Sequence, residues 1–194
     1  MENAKKNCYD WLINKTKGVK IQMETKTNIL FTGVMSALVS CVDEDGNVYK
    51  RSMRRLMNDQ LKAGLNGFYL CGGTGEGPVL QKKTRMEIAE IAKDEVKNGA
   101  SLIAHVGAID LTTAVELARH AGQIGLDAIS SVPPFFFEYG EREIADYYKA
   151  LSDASGLPIL MYASPMSGIE ITWDMVDRLM DVPNMIGLKW TSYD

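Results

Sequence analysis

The chain has 194 residues, 46% hydrophobic and 24% charged, with a net charge of −4; that is enough for one sizeable core, with no basic excess to favour nucleic acid. The charge is uneven, +3 over Met1–Leu30 and −7 over the rest, and a short basic tail of this kind is ordinarily solvated. Cys8, Cys41 and Cys71 are odd in number and far apart, and fit neither a disulfide framework nor a zinc spacing. Met1–Thr16 has no apolar run after Lys5-Lys6 to make a secretory signal, so a reducing, cytoplasmic setting is expected.

Residues 1–30 stand apart as an unassigned extension. They are polar, with Tyr9, Trp11, Leu12 and Ile13 scattered among charges, and support at most one short helix. The alternatives are an extra helix, a disordered tail, or upstream sequence ahead of a start at Met23. Ile29–Val42 is apolar but too short, and too interrupted by Thr, Gly and Ser, to span a bilayer.

From Gly33 onward short β-rich apolar runs alternate with stretches of helical periodicity. The runs are Val34–Val42, Gly67–Leu70, Ser101–Val106, Ala128–Val132, Pro158–Tyr162 and Met185–Lys189. Their nearly continuous apolar character predicts strands buried on both faces of a parallel sheet. Between them, Met53, Leu56, Met57 and Leu61 form one helical stripe, and Ile88, Ile91, Ala92 and Val96 a second. Ala114, Ala118 and Ala121, with Val115 and Leu117, form a third. Gly64, Gly99 and Gly125 fall where helices should end, and Thr172 reads as the N-cap of a helix starting at Trp173. The alternation implies either a doubly wound open sheet or a (β/α)8 barrel. Six strands suit the first as they stand; for the second, two are missing.

In both architectures sites gather at the C-terminal ends of strands. After the second run comes Gly72-Gly73-Thr74-Gly75-Glu76-Gly77, whose backbone N–H groups and Thr74 hydroxyl suit a carboxylate or phosphate, or simply make a flexible turn. Neither a P-loop nor a dinucleotide fingerprint is present. After the fourth run, Phe135-Phe136-Phe137 either wall a pocket or pack under the loop as core. Tyr162 closes the fifth run; a phenol relays protons if a lysine or carbonyl stands beside it, and otherwise packs its ring. Lys189 closes the sixth. A partly desolvated amine there would be a nucleophile toward carbonyls. His105, within the third strand, and His120, on the third helix, have no partner at metal spacing and read as structural. No metal or cofactor is expected.

These motifs together resemble the N-acetylneuraminate lyase and dihydrodipicolinate synthase family of class I aldolases. The resemblance runs over residues 31–194. It rests on Gly33-Val-Met-Ser-Ala-Leu-Val with Asp43-Glu-Asp-Gly46, and on Gly72-Gly-Thr-Gly-Glu76. It continues in Asp127-Ala-Ile-Ser-Ser-Val-Pro-Pro134-Phe135, Leu157-Pro-Ile-Leu-Met-Tyr162 and Ile186-Gly-Leu-Lys189. It implies a (β/α)8 TIM barrel, here incomplete at about six βα units, and a homotetramer when full length. It also implies that Lys189 forms a Schiff base with pyruvate, that Tyr162 shuttles the proton, and that Gly73 and Thr74 hold the pyruvate carboxylate. The chemistry is coherent, because a protonated imine is an electron sink and the carboxylate must be held by fixed donors.

Several residues depart from the family pattern. Gly73 stands where a Ser or Thr is usual. Tyr162-Ala163-Ser-Pro165 replaces Tyr-Asn-x-Pro, and the loop Pro165-Met-Ser-Gly168 is one residue short. Phe135-Phe136 replaces the Tyr-Tyr of the synthases, while Lys189-Trp190-Thr191 matches the Lys-x-Thr of sialic-acid lyases. The lyase branch is therefore expected, with cleavage of N-acetylneuraminate to pyruvate and N-acetylmannosamine and Thr191 among the substrate-binding residues. The alternatives are a sister aldolase for another 2-keto acid, or an inactive fragment or binding protein. Strands seven and eight of the family are missing, so the chain by itself is expected to associate through open sheet edges and to lack lyase activity.

Overall fold

The computed structural model describes residues 31–97, 99–164 and 172–191. The N-terminal extension over residues 1–30 and the short loop at Pro165–Gly168 lie outside the described residues.

Strands β1 (Met35–Ala37), β2 (Gly67–Leu70), β3 (Ser101–His105), β4 (Ala128–Ser131), β5 (Ile159–Ala163) and β6 (Met185–Trp190) alternate with five helices. These are α1 (Lys50–Lys62), α2 (Lys82–Val96), α3 (Leu111–Gln123), α4 (Glu141–Ser155) and α5 (Trp173–Leu179). All neighbouring strands are parallel, and their order in the sheet is their order in the chain. A doubly wound sheet reverses its strand order at a switch point, and this sheet does not. Six strands joined by five helical crossovers in one direction form a partial (β/α)8 barrel.

The two faces of the sheet hold different cores, as the alternation of side chains along a strand requires. Phe68, Leu70, Leu102, Ile129, Ile159 and Met161 pack outward on the helices, against Met53, Met57, Ile88, Leu117, Ile144 and Leu151. Each such side chain contributes roughly 1.5–3 kcal/mol by leaving water. Tyr69, Ile103 and Ala128 form a second cluster on the other face, joined by Met35, Leu160 and Tyr162. The three helical stripes lie where the periodicity put them, with Met53, Met57, Ile91, Ala92, Ala114 and Ala118 among the buried residues. Thr172 caps α5, its hydroxyl accepting from the Met175 amide at 3.2 Å.

Two expectations need correction. The run Val34–Val42 is not one strand. After Ala37, Leu38 makes a last bond to the Tyr69 carbonyl. The chain then turns away, the Ser40 hydroxyl donating to the Gly75 carbonyl at 2.6 Å and Val42 bridging Val48 antiparallel. Apolar composition alone did not reveal this exit, because Leu38 is buried outside the ladder as fully as a strand residue. The second concerns helix ends. Gly64 (φ +94°) and Gly125 (φ +70°) do take the left-handed conformation, but after α2 that role falls to Lys97 (φ +53°) and not to Gly99.

Candidate active site

Lys189 and Tyr162 are direct partners across the β5–β6 ladder. This pairing depends on an irregularity. The register runs Ile159↔Met185 and then Leu160↔Gly187, so Ile186 is an extra residue in β6. Without that bulge Tyr162 would face Leu188, since a one-residue slip transfers every side chain to the opposite face. The bulge turns Lys189 to the inner face, while Met185 and Leu188 pack with the outer core.

The Lys189 ammonium lies 3.3 Å from the centroid of the Tyr162 ring and 5.3 Å from that of Tyr69. Its Nζ also donates to the Thr191 hydroxyl at 3.3 Å. Partial burial raises the Tyr162 pKa; hydrogen bonds involving Lys189 and Thr191, together with the lysine's charge, outweigh it, and the phenol ends below its ordinary value.

Beneath this pair lies a wall of aromatic and hydroxyl groups. The Tyr69 ring meets that of Tyr162 edge-on at 6.2 Å, and its hydroxyl donates to Ser130 at 2.9 Å. Burial raises the Tyr69 pKa strongly, so it stays protonated. The His105 ring stands 6.1 Å from Tyr162, also edge-on, and its Nε2 accepts from the Val132 amide at 3.3 Å. Burial, reinforced by the charges of Arg85 and Lys189, pushes His105 down to about 3. It is a neutral imidazole under the amine. A cation there would oppose both charge on Lys189 and any iminium formed from it.

The glycine turn leaves the end of β2, the strand that carries Tyr69. Gly73 and Thr74 are exposed in it. The turn is closed by bonds from the Glu76 amide to the Gly73 carbonyl at 3.0 Å and from the Gly77 amide to the Gly72 carbonyl at 3.1 Å. Gly77 is obligatory, because a Cβ there would stand 1.7 Å from the Cys71 carbonyl oxygen. Gly73 is not: a Cβ there meets nothing within 4 Å. The missing hydroxyl at that position is a chemical difference without a steric cause.

Of the residues singled out in the sequence, Lys189, Tyr162 and Thr191 are in mutual contact, and Gly73 and Thr74 sit in an open turn at the end of β2. His105 lies within the wall of the site as well as in the core. Phe136 and Phe137 correct the packing expectation. They are 78% and 64% exposed and meet edge to face with ring centroids 4.9 Å apart, with Phe136 at φ +89°. Turned out by that backbone, they pack under nothing. Sequence reasoning missed Tyr69 and Ser130. Their signal was position, since each lies on a strand whose following loop was already suspected.

The chain matches the model of the dihydrodipicolinate synthetase family over residues 30–194. It is 38% identical over 164 residues to the N-acetylneuraminate lyase of Escherichia coli K12, covering 84% of this chain and 55% of the relative. Among solved structures it resembles CdNal from Clostridium difficile in complex with mannosamine, with TM-score 0.81 and 34% identity, over 87% of this chain and 58% of that one. It also resembles YagE, an Escherichia coli prophage protein in complex with pyruvate, with TM-score 0.80 and 30% identity, over 85% and 56% of the two chains. The chain thus spans little more than half the length of the relatives it matches. With 165 consecutive residues under one family model and six strands in barrel order, the chain belongs to the dihydrodipicolinate synthetase family.

Proposed function

We propose that this chain carries the Schiff-base centre of a pyruvate-dependent aldolase that cleaves N-acetylneuraminate to pyruvate and N-acetylmannosamine. The observation that carries the reading is the bulge-set contact of Lys189 with Tyr162, above a buried neutral His105. The neutral Lys189 amine adds to the C2 carbonyl of the open-chain sugar acid; the Tyr162 phenol gives its proton to the departing hydroxyl, so water leaves and a protonated imine and a phenolate remain. Tyr162, its pKa lowered beside the lysine, takes the proton of the C4 hydroxyl as the C3–C4 bond breaks. The electron pair of that bond moves into the imine, leaving an enamine and releasing the aldehyde. Protonation at C3 and hydrolysis then return pyruvate and the free amine.

Gly73 and Thr74 receive the carboxylate through backbone N–H and hydroxyl donors, and Thr191 orients the amine and the sugar end. The lyase branch is supported by Lys189-Trp190-Thr191 and by the Phe pair in place of two synthase tyrosines. The exposed Phe136–Phe137 pair supports self-association, with a homotetramer as the expected state. Free Cys41 and Cys71 support a cytoplasmic setting, and among the described residues no helix is long and apolar enough to cross a membrane.

The substrate is tested by grafting residues 31–191 into the E. coli lyase in place of its matching segment. Pyruvate is then offered with N-acetylmannosamine or with aspartate semialdehyde. Faster condensation with N-acetylmannosamine is expected; faster condensation with the semialdehyde would assign the chain to the synthase branch.

A further inference from the structure

Arg85, in the first turn of α2, is 4% exposed. Its guanidinium donates to the Gly107 carbonyl at 2.9 Å and to the His105 carbonyl at 2.6 Å. Its Nε makes no hydrogen bond. The Cys71 thiol interacts with it through its field and a side-chain hydrogen bond, but a thiol is a weak acceptor. No carboxylate compensates it among the described residues; the groups that favour its charge are Cys71, Tyr147 and Tyr69. A buried cation without a counter-ion is costly, and carbonyl dipoles offset only part of that cost.

The position of Arg85 is informative. His105 and Gly107 are the end of β3 and the start of its loop, and Cys71 opens the glycine turn after β2. Arg85 therefore ties the floor of the site to the base of the turn that presents Gly73 and Thr74. Gly77 closes the same base, its amide donating to the Gly72 carbonyl at 3.1 Å and its Cα leaving no room for a Cβ beside the Cys71 carbonyl. Gly73 and Thr74, exposed in the turn, follow Cys71 by two and three residues.

We propose that Arg85 is a positioning and selectivity residue for the substrate carboxylate: an anion bound at the Gly73–Thr74 turn supplies the missing counter-charge, so the site prefers a 2-keto acid to a neutral ketone of the same shape. This rests on the carboxylate assignment above. Arg85 acts through the turn and through its field, and touches no reacting atom.

The test uses the full 194-residue chain, with dissociation constants for pyruvate and for pyruvamide, its neutral isostere, read by ligand-observed NMR. Borohydride trapping with pyruvate is run in parallel. The unsubstituted chain should prefer pyruvate. Arg85→Met should weaken pyruvate about tenfold or more, with pyruvamide changed less than about twofold. Arg85→Lys, which keeps the charge but loses the fork, should retain the preference for pyruvate. If circular dichroism shows Arg85→Met unfolded, Arg85→Gln should show the same loss of preference. Equal weakening of both ligands would mean a purely structural clamp and overturn the proposal, as would an unsubstituted chain that does not distinguish them. Arg85-dependent pyruvate binding without an adduct on Lys189 would uphold the role of Arg85 and overturn the aldolase reading.

Discussion

Lys189 and Tyr162 share one rung of the β5–β6 ladder, with the ammonium 3.3 Å from the centre of the phenol ring. The contact makes the tyrosine a stronger acid than in water. Its sign sets an expectation for pH. Tyr162 should lose its proton below the ordinary value of 10.0. In Lys189→Met, where the charge and its hydrogen bond are gone, the titration should move upward toward that value. Ultraviolet difference spectra across an alkaline titration report both. A midpoint unmoved by the substitution would show that the lysine is not the cause. In the grafted barrel, Tyr162→Phe should lower cleavage about 10²–10⁴-fold while leaving imine formation in place.

The glycine turn separates steric need from chemistry. Gly77→Ala drives a carbon into the Cys71 carbonyl, and should cost ~2–4 kcal/mol by distorting the turn. Gly73→Ser enters open space and should change stability by less than about 0.5 kcal/mol, while its hydroxyl tightens pyruvate binding. Denaturant melts and pyruvate titrations of the two variants check this. Weaker pyruvate binding in Gly73→Ser would show that the turn does not face the carboxylate.

His105 sets an acid limit on stability. Its folded pKa of about 3 lies below the ordinary 6.5, so the unfolded chain takes up a proton that the folded chain refuses. The stability from this source is whole above pH 6.5 and is lost as pH falls from there toward 3. Glu95, Asp43 and Asp110 are also lowered, and add losses of the same sign in acid. His105→Gln, whose amide oxygen can still accept from Val132, should flatten the part of the slope nearest neutrality. Stability curves at pH 7, 6 and 5 test it; parallel slopes would rule His105 out.

Much of this molecule was legible in its sequence. The strand cores Gly67–Leu70, Ser101–His105 and Ala128–Ser131 and the three helical stripes follow from hydrophobic continuity and period. Lys189 and Tyr162 follow from their place at strand ends and from the family resemblance. What was not legible depends on register and backbone direction. The bulge at Ile186 decides which of Leu188 and Lys189 faces Tyr162, and its one mark in Met185–Lys189 is Gly187, which takes φ +157° beside it. Phe136 and Phe137 look like core by composition and are turned outward by one positive φ. Arg85 occupies the inner face of a helix, where its charge reads as a surface residue until the packing is seen. Alternation of elements left open sheet and barrel undetermined; the family resemblance chose the barrel, and the strand order bears that out.

The sheet edges bear on the chain by itself. Among the described residues β1 pairs only with β2 and β6 only with β5, leaving two rows of backbone donors and acceptors free to pair. Expressed alone, the 194-residue chain should scatter light as species larger than its 21.5 kDa monomer and show no measurable lyase activity. A monodisperse, active monomer would refute this.

The central claim is tested most directly by chemistry at one atom. The 194-residue chain is incubated with pyruvate, reduced with borohydride and mapped by peptide mass spectrometry, beside Lys189→Ala. The account expects one reduced pyruvate adduct on Lys189, absent from the variant. An adduct that survives Lys189→Ala, or that spreads over surface lysines such as Lys50 and Lys83, would contradict it.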